Sequence, residues 1–183
     1  MNRNTGRMIG AAGVAALGLV AGLALSRTKR AALKAGMALT GDWEKQLKRE
    51  HRSLRKFLKG MVDSQLGDTV ERASLLASTD ELLTRHALEE EKVIYPALRQ
   101  AGAGEAVDLL FAEHAEMKTR LRGLQEMSFE DALWGERAAD LRKLLLRHIH
   151  AEEDMFPLLR ELGDDARNKT LTTLVRREAV RLS

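Results

Sequence analysis

At 183 residues the chain has room for one domain of ordinary size and an appendage. The lack of cysteine excludes disulfides, zinc-thiolate sites and iron–sulfur clusters, and two prolines among abundant Ala, Leu, Glu, Arg and Lys indicate an all-helical fold. Residues 1–41 carry six cations and no acid, so the net +3 of the chain leaves about −3 for residues 42–183, and a nucleic-acid partner loses its electrostatic support.

Residues 8–25 are an uninterrupted apolar run, at the lower edge of what crosses a bilayer as a helix. Gly18 and Gly22, four apart, would let two such helices approach closely and form a homo-oligomer. Ala24-Leu25-Ser26 would serve as a signal-peptide cleavage site, but four cations follow the run within nine residues and only two precede it. The positive-inside rule then favours a retained membrane anchor with the following domain in the cytoplasm. The expected organisation is an anchor and basic linker over 1–41, a bundle over 42–163 and a C-terminal helix over 164–183.

From Asp42 onward the apolar spacing is helical. Leu47, His51, Leu54, Leu58 and Met61 form one stripe; Thr79, Leu82, His86, Glu90, Val93 and Ala97 form a second. Val107, Leu110, His114, Met117, Leu121 and Leu124 form a third, and Leu141, Leu145, His148, Glu152, Phe156 and Leu159 a fourth. Breaks fall at 66–68, 102–104 and 127–130, with Asp42 and Ser128 as expected N-caps and Trp43 and Trp134 as packing anchors. Pro96 and Pro157 occupy equivalent places and should kink or end their helices. Short connections between long helices predict an up-down-up-down antiparallel four-helix bundle, followed by a short basic helix over 165–182 containing Leu171, Leu174, Val175 and Val180.

The two halves repeat one another. Glu50-His51 is followed 35 residues later by His86-x-x-x-Glu90, and Glu113-His114 is followed 34 residues later by His148-x-x-x-Glu152. Beyond the second glutamate the halves differ by one residue, since Tyr95-Pro96 matches Phe156-Pro157. A single His on an apolar stripe is usually a hydrogen-bonded core residue. Four His and two Glu together on inward stripes are harder to accommodate, because a buried carboxylate without a partner costs several kcal/mol, on the order given by burial of any unpaired charge.

Metal supplies the compensation. Residues four apart share a helix face, so each His-x-x-x-Glu offers an imidazole and a carboxylate to one point. The inventory divides into one metal near His51 and His86, another near His114 and His148, and Glu90 and Glu152 as bridges. Glu153 competes with Glu152, and His150 faces away. Imidazole and carboxylate without thiolate suit iron or manganese, and zinc would also bind.

With the Tyr95-Pro96 and Phe156-Pro157 ends, these residues resemble the hemerythrin-like family, also called His-His-Glu cation-binding domains, over about residues 42–163. The resemblance implies a non-haem di-iron centre, two irons joined by an oxo or hydroxo bridge, that binds dioxygen or responds to iron, oxygen, nitric oxide or peroxide. The oxygen carriers of that family have two His four apart on the third helix, whereas the neighbours of His114 at that spacing are Leu110 and Lys118. One metal then has a more open coordination, or one completed by water, Glu113 or Glu116. This departure puts reversible oxygen carriage in doubt and brings the pattern closer to sensing and stress-response members. A peroxidase- or catalase-like enzyme or a ferroxidase is the alternative.

Overall fold

The structure, a computed structural model, describes residues 42–181. Five helical rods and no strands occur among them. The first is α1 (Trp43–Asp63). The second runs without interruption through α2 (Thr69–Glu89), a π-helical turn (Glu90–Ile94) and α3 (Tyr95–Gln100). Then come α4 (Gly104–Glu126), α5 (Trp134–Glu161) and α6 (Asp165–Arg181). Helix α1 packs on α2 and α5, α4 packs on α5, and α6 lies against α1, α2 and the π turn. The apolar run at 8–25, its proposed anchor and the oligomer through Gly18 and Gly22 lie outside the described residues. No helix among the described residues is long and apolar enough to cross a membrane.

All four predicted stripes are buried. They form two dry clusters. One holds Leu54, Leu58, Met61, Met117, Leu121 and Trp134; the other holds Trp43, Leu47, Leu98, Val107, Phe156 and Val175. In each of the four long helices the histidine falls in sequence between residues of these clusters, as His51 does between Leu47 and Leu54. The fold therefore sandwiches a polar layer between two apolar ones, and packing on both sides fixes the rotamers of that layer.

Several boundaries differ from the sequence expectation. Asp42 does cap α1, its carboxylate accepting from the Lys45 amide at 3.0 Å. Ser128 is not the cap of α5: its hydroxyl accepts from Glu130 N, a turn at Asp131 follows, and the helix starts only at Trp134. Neither proline ends its helix. Pro157 lies inside α5, and Pro96 is the second residue of α3, in its first turn. Both rings are on the exposed side, where a helix curving around a core can tilt its carbonyls outward and make room. In α6, Leu171 and Val175 are buried together with Ala179, while Leu174 is half-buried and Val180 is exposed.

The π turn is where the extra residue of the first half goes. The Tyr95 amide donates to the Glu90 carbonyl, five residues back, so one residue is added without breaking the rod. Tyr95 thereby reaches the same face that Phe156 reaches from the shorter second half.

At the opposite end, buried Arg72 ties two connections together. It donates to Ser64 Oγ (2.9 Å), Ser64 O (3.3 Å) and Phe129 O (2.6 Å), and it lies 4.7 Å from the Trp134 ring. Arg72→Ala would orphan two carbonyls and remove the ring contact, so chemical denaturation should show a loss of about 3 kcal/mol. Arg72→Lys, which lacks the planar fork, should recover less than half of that.

Candidate metal centre

His51, His86, Glu90, His114, His148 and Glu152 are each at most 1% exposed. They converge as two overlapping sets, His51–His86–Glu90–Glu152 and Glu90–His114–His148–Glu152, each with one donor atom per residue within 4.8 Å of the others. The carboxylates divide their oxygens between the sets. Glu90 Oε1 lies 3.3 Å from His86 Nε2 and 3.8 Å from His51 Nε2, while its Oε2 lies 3.5 Å from His114 Nε2. Glu152 Oε2 lies 3.3 Å from His51 Nε2, and its Oε1 3.0 Å from His148 Nε2. Such a division is what two carboxylates spanning a pair of cations require.

The other nitrogen of every ring is held by a second carboxylate. His86 Nδ1 bonds Glu50 and His148 Nδ1 bonds Glu113, both at 3.0 Å, each acid preceding the lone His of its own half. His114 Nδ1 bonds Glu91 (3.0 Å) and His51 Nδ1 bonds Glu153 (2.8 Å), each acid following the bridging Glu of the other half. A carboxylate only accepts, so Nδ1 carries the proton and the Nε2 lone pair faces the centre. This orientation is the usual outer support of a metal-binding histidine. Arg85 and Arg147 brace Glu50 and Glu113 in turn, at 3.2 and 2.9 Å.

The inward atoms lack ordinary partners. Nε2 of His51, His86 and His148, both oxygens of Glu90 and Oε2 of Glu152 are buried with no hydrogen bond. Six orphaned acceptor atoms facing one another are costly in a dry core, and a pair of divalent cations would satisfy all of them. The donor set therefore fits metal, and its nitrogen–oxygen character fits iron.

Electrostatics within the protein alone tell the same story. Burial and the facing Glu152 push the Glu90 carboxyl well above the usual range. Burial would raise Glu152 too, but His148 and His51 outweigh it and hold Glu152 well below. Burial lowers His86 and His114, whereas for His148 the glutamates Glu152 and Glu113 overcome burial and raise it. The two facing carboxyls are thus pushed in opposite directions, Glu90 toward its neutral form and Glu152 toward its charged form, and cations between them would favour the charged form of both.

Glu153 lies on the outer side of His51, so Glu152 is the acid that faces the centre. Glu113 supports His148 from outside and exposed Glu116 pairs with Arg120, so neither completes the coordination. His150 is exposed beside Asp154. Sequence reasoning missed the roles of Glu50 and Glu91 as outer supports, although the doublets Glu50-His51, Glu113-His114, Glu90-Glu91 and Glu152-Glu153 recur in both halves. It also missed Tyr95, whose phenol donates to Glu152 Oε1 at 2.5 Å.

Two expectations arise from these supports. Glu113→Ala should weaken metal binding about 10–100-fold in a calorimetric titration, because His148 loses its orientation while the ligand set stays complete. The second concerns buried Glu89, which accepts from Gln46 at 2.8 Å and whose carboxyl is pushed up to about 9 by burial and by Glu50. Its folded pKa exceeds its unfolded value, so its contribution is fully present below about pH 4.5 and is lost as pH rises through 9. Between pH 7 and 9 the metal-free protein should lose roughly 1 kcal/mol of stability per pH unit to this group, and denaturant titration of Glu89→Gln should show a shallower decline.

The Hemerythrin HHE cation binding domain model matches residues 44–159. Among solved structures, the hemerythrin HHE cation binding domain-containing protein of Mycobacterium kansasii, an Rv2633c homolog, superposes with a TM-score of 0.64 at 22% identity, over 78% of this chain and 86% of that one. At that identity the likeness shows the fold. The curated proteins offer no significant match. A family match over most of the chain, on a helical fold with a buried His/Glu cluster at its middle, makes this protein a member of the hemerythrin HHE cation-binding family.

Proposed function

We propose that residues 42–163 form an up-down-up-down four-helix bundle around a non-haem di-iron centre that binds or senses oxygen, related small oxidants or iron. The observation that carries this reading is the pair of buried four-residue sets sharing Glu90 and Glu152. His51 and His86 would hold one iron and His114 and His148 the other, with Glu90 and Glu152 shared between the two. The irons supply a redox couple and a place for a small oxidant. The chain supplies the rest: outer carboxylates fix four ring orientations, and the two apolar clusters exclude bulk water. The run at 8–25 tethers the domain to a membrane in this reading, on its cytoplasmic side. Iron loading, followed by absorption spectra of the reduced protein before and after oxygen, nitric oxide and peroxide, tests the proposal. A protein that takes up no iron, or whose spectrum responds to none of these, contradicts it.

An enzyme, peroxidase- or catalase-like or a ferroxidase, is the second reading. It is favoured by the lack of a second imidazole four residues from His114, where Leu110 and Lys118 stand, which leaves the neighbouring subsite more open. Metal-dependent peroxide consumption or ferrous oxidation by the loaded protein separates it from a binding role.

A further inference from the structure

The two halves differ in one group that faces the centre. Phe156 stacks on His51, with centroids 6.1 Å apart and planes 13° apart, and offers no polar atom. Its counterpart Tyr95 stacks on His114 at 5.3 Å and 25°, and is wholly buried. Its phenol oxygen lies 3.2 Å from His114 Nε2 and 2.5 Å from Glu152 Oε1. Both atoms belong to the His114–His148 set, and Glu152 Oε1 is the oxygen directed at that set rather than at the other. Two donors about 2.0–2.1 Å from one ion and at right angles to each other lie about 3 Å apart. The two spacings of the phenol oxygen bracket that value.

Without Tyr95 the two subsites are matched, each with two imidazoles and a share of both glutamates. Helix α4 gives the His114–His148 subsite a single imidazole, and the positions four residues either side of His114 hold Leu110 and Lys118. Lys118 is turned outward, its ammonium 3.0 Å from Glu91. The π turn is what brings Tyr95 to this subsite, since it absorbs the one additional residue between Glu90 and the aromatic position.

We propose that Tyr95 is a seventh protein ligand, a phenolate donor to the ion of the His114–His148 subsite. The inference rests on the di-iron reading above. As the ion enters, the phenol O–H bond breaks, the oxygen bonds to the metal and the proton passes to solvent, so binding releases one proton more than the histidines and glutamates account for. An oxygen donor of this kind stabilises the ferric state of that one iron and makes the two irons inequivalent.

Resonance Raman spectra of the iron(III)-loaded full chain test it. The wild type is expected to show a visible phenolate-to-iron charge-transfer band with enhanced tyrosinate vibrations. Tyr95→Phe, the residue type that the other half already carries at this position, is expected to lose both. Retention of two irons by the variant, or of one, is compatible with the assignment provided the band disappears. Two irons per chain with no tyrosinate vibrations in the wild type, or with identical spectra in the variant, overturns the ligand assignment and leaves the di-iron reading standing. No iron in either protein overturns both.

Discussion

Glu90→Gln is expected to abolish binding of both metals together. Glu90 Oε1 faces His51 and His86 while its Oε2 faces His114, so one substitution damages two sites. The amide keeps the volume but has one oxygen and no charge, and it cannot span two cations. Metal content should fall from two per chain to none at concentrations that saturate the wild type. Without metal the sign of the stability effect reverses. Burial and Glu152 hold the Glu90 carboxyl well above its ordinary value, so the wild-type side chain opposes folding at neutral pH. The variant should therefore be the more stable metal-free protein at pH 7, on the order of 1–3 kcal/mol, because the unfolded chain ionises Glu90 and the folded one resists it. His150→Ala, at an exposed position, should change neither quantity. A Glu90→Gln protein that still holds two metals would show that the carboxylate is not a bridge.

Removing metal from the wild type should lower the thermal midpoint by about 20 °C. A ligand that binds only the folded state at a thousand times its dissociation constant adds about 4 kcal/mol, and two such sites add about 8. A domain of this size shifts by about 2–4 °C per kcal/mol. The effect is large because the metal-free interior leaves six acceptor atoms without hydrogen bonds. If the bundle were a metal-free scaffold, scanning calorimetry before and after chelation would give the same midpoint. The two results together distinguish the centre from an ordinary buried polar network: one carboxylate is destabilising alone and indispensable when cations are present.

Much of this was legible because helical periodicity and chemical type vary independently. The stripe through Leu47, His51, Leu54 and Leu58 fixes which face is inward, and the presence of His on it is a separate fact. Asking what compensates four buried imidazoles and two acids then leads to metal without knowledge of the coordinates. Helix starts were less legible, because turn chemistry competes with capping. Ser128 has a capping residue's chemistry but satisfies Glu130 in a turn, and Asp131 does the same for Leu133. Of the two outcomes expected at proline, a kink or an end, the end fails for another reason. The penalty of a proline depends on which side of the rod it occupies, and both rings face solvent, where the helix can bend.

The outer carboxylates illustrate a different limit. Glu91 and Glu153 support histidines of the opposite half, a pairing fixed only once the helices are packed. Glu91 shows how firmly: hydrogen bonding to His114 and then Lys118 overcomes its partial burial and holds its carboxyl down at about 2. The one-residue mismatch between the halves was visible, but its consequence was not. A π turn and a loop insertion read alike in sequence, and only the first carries Tyr95 into the centre.

The most direct test of the dinuclear centre is anomalous scattering from crystals of the iron-loaded protein. The account predicts two iron peaks about 3.5–4 Å apart, the usual separation in paired sites, with Glu90 and Glu152 between them and His51 and His86 on the opposite side from His114 and His148. A single peak, or irons bound at surface acids with the six side chains left facing one another, would contradict it.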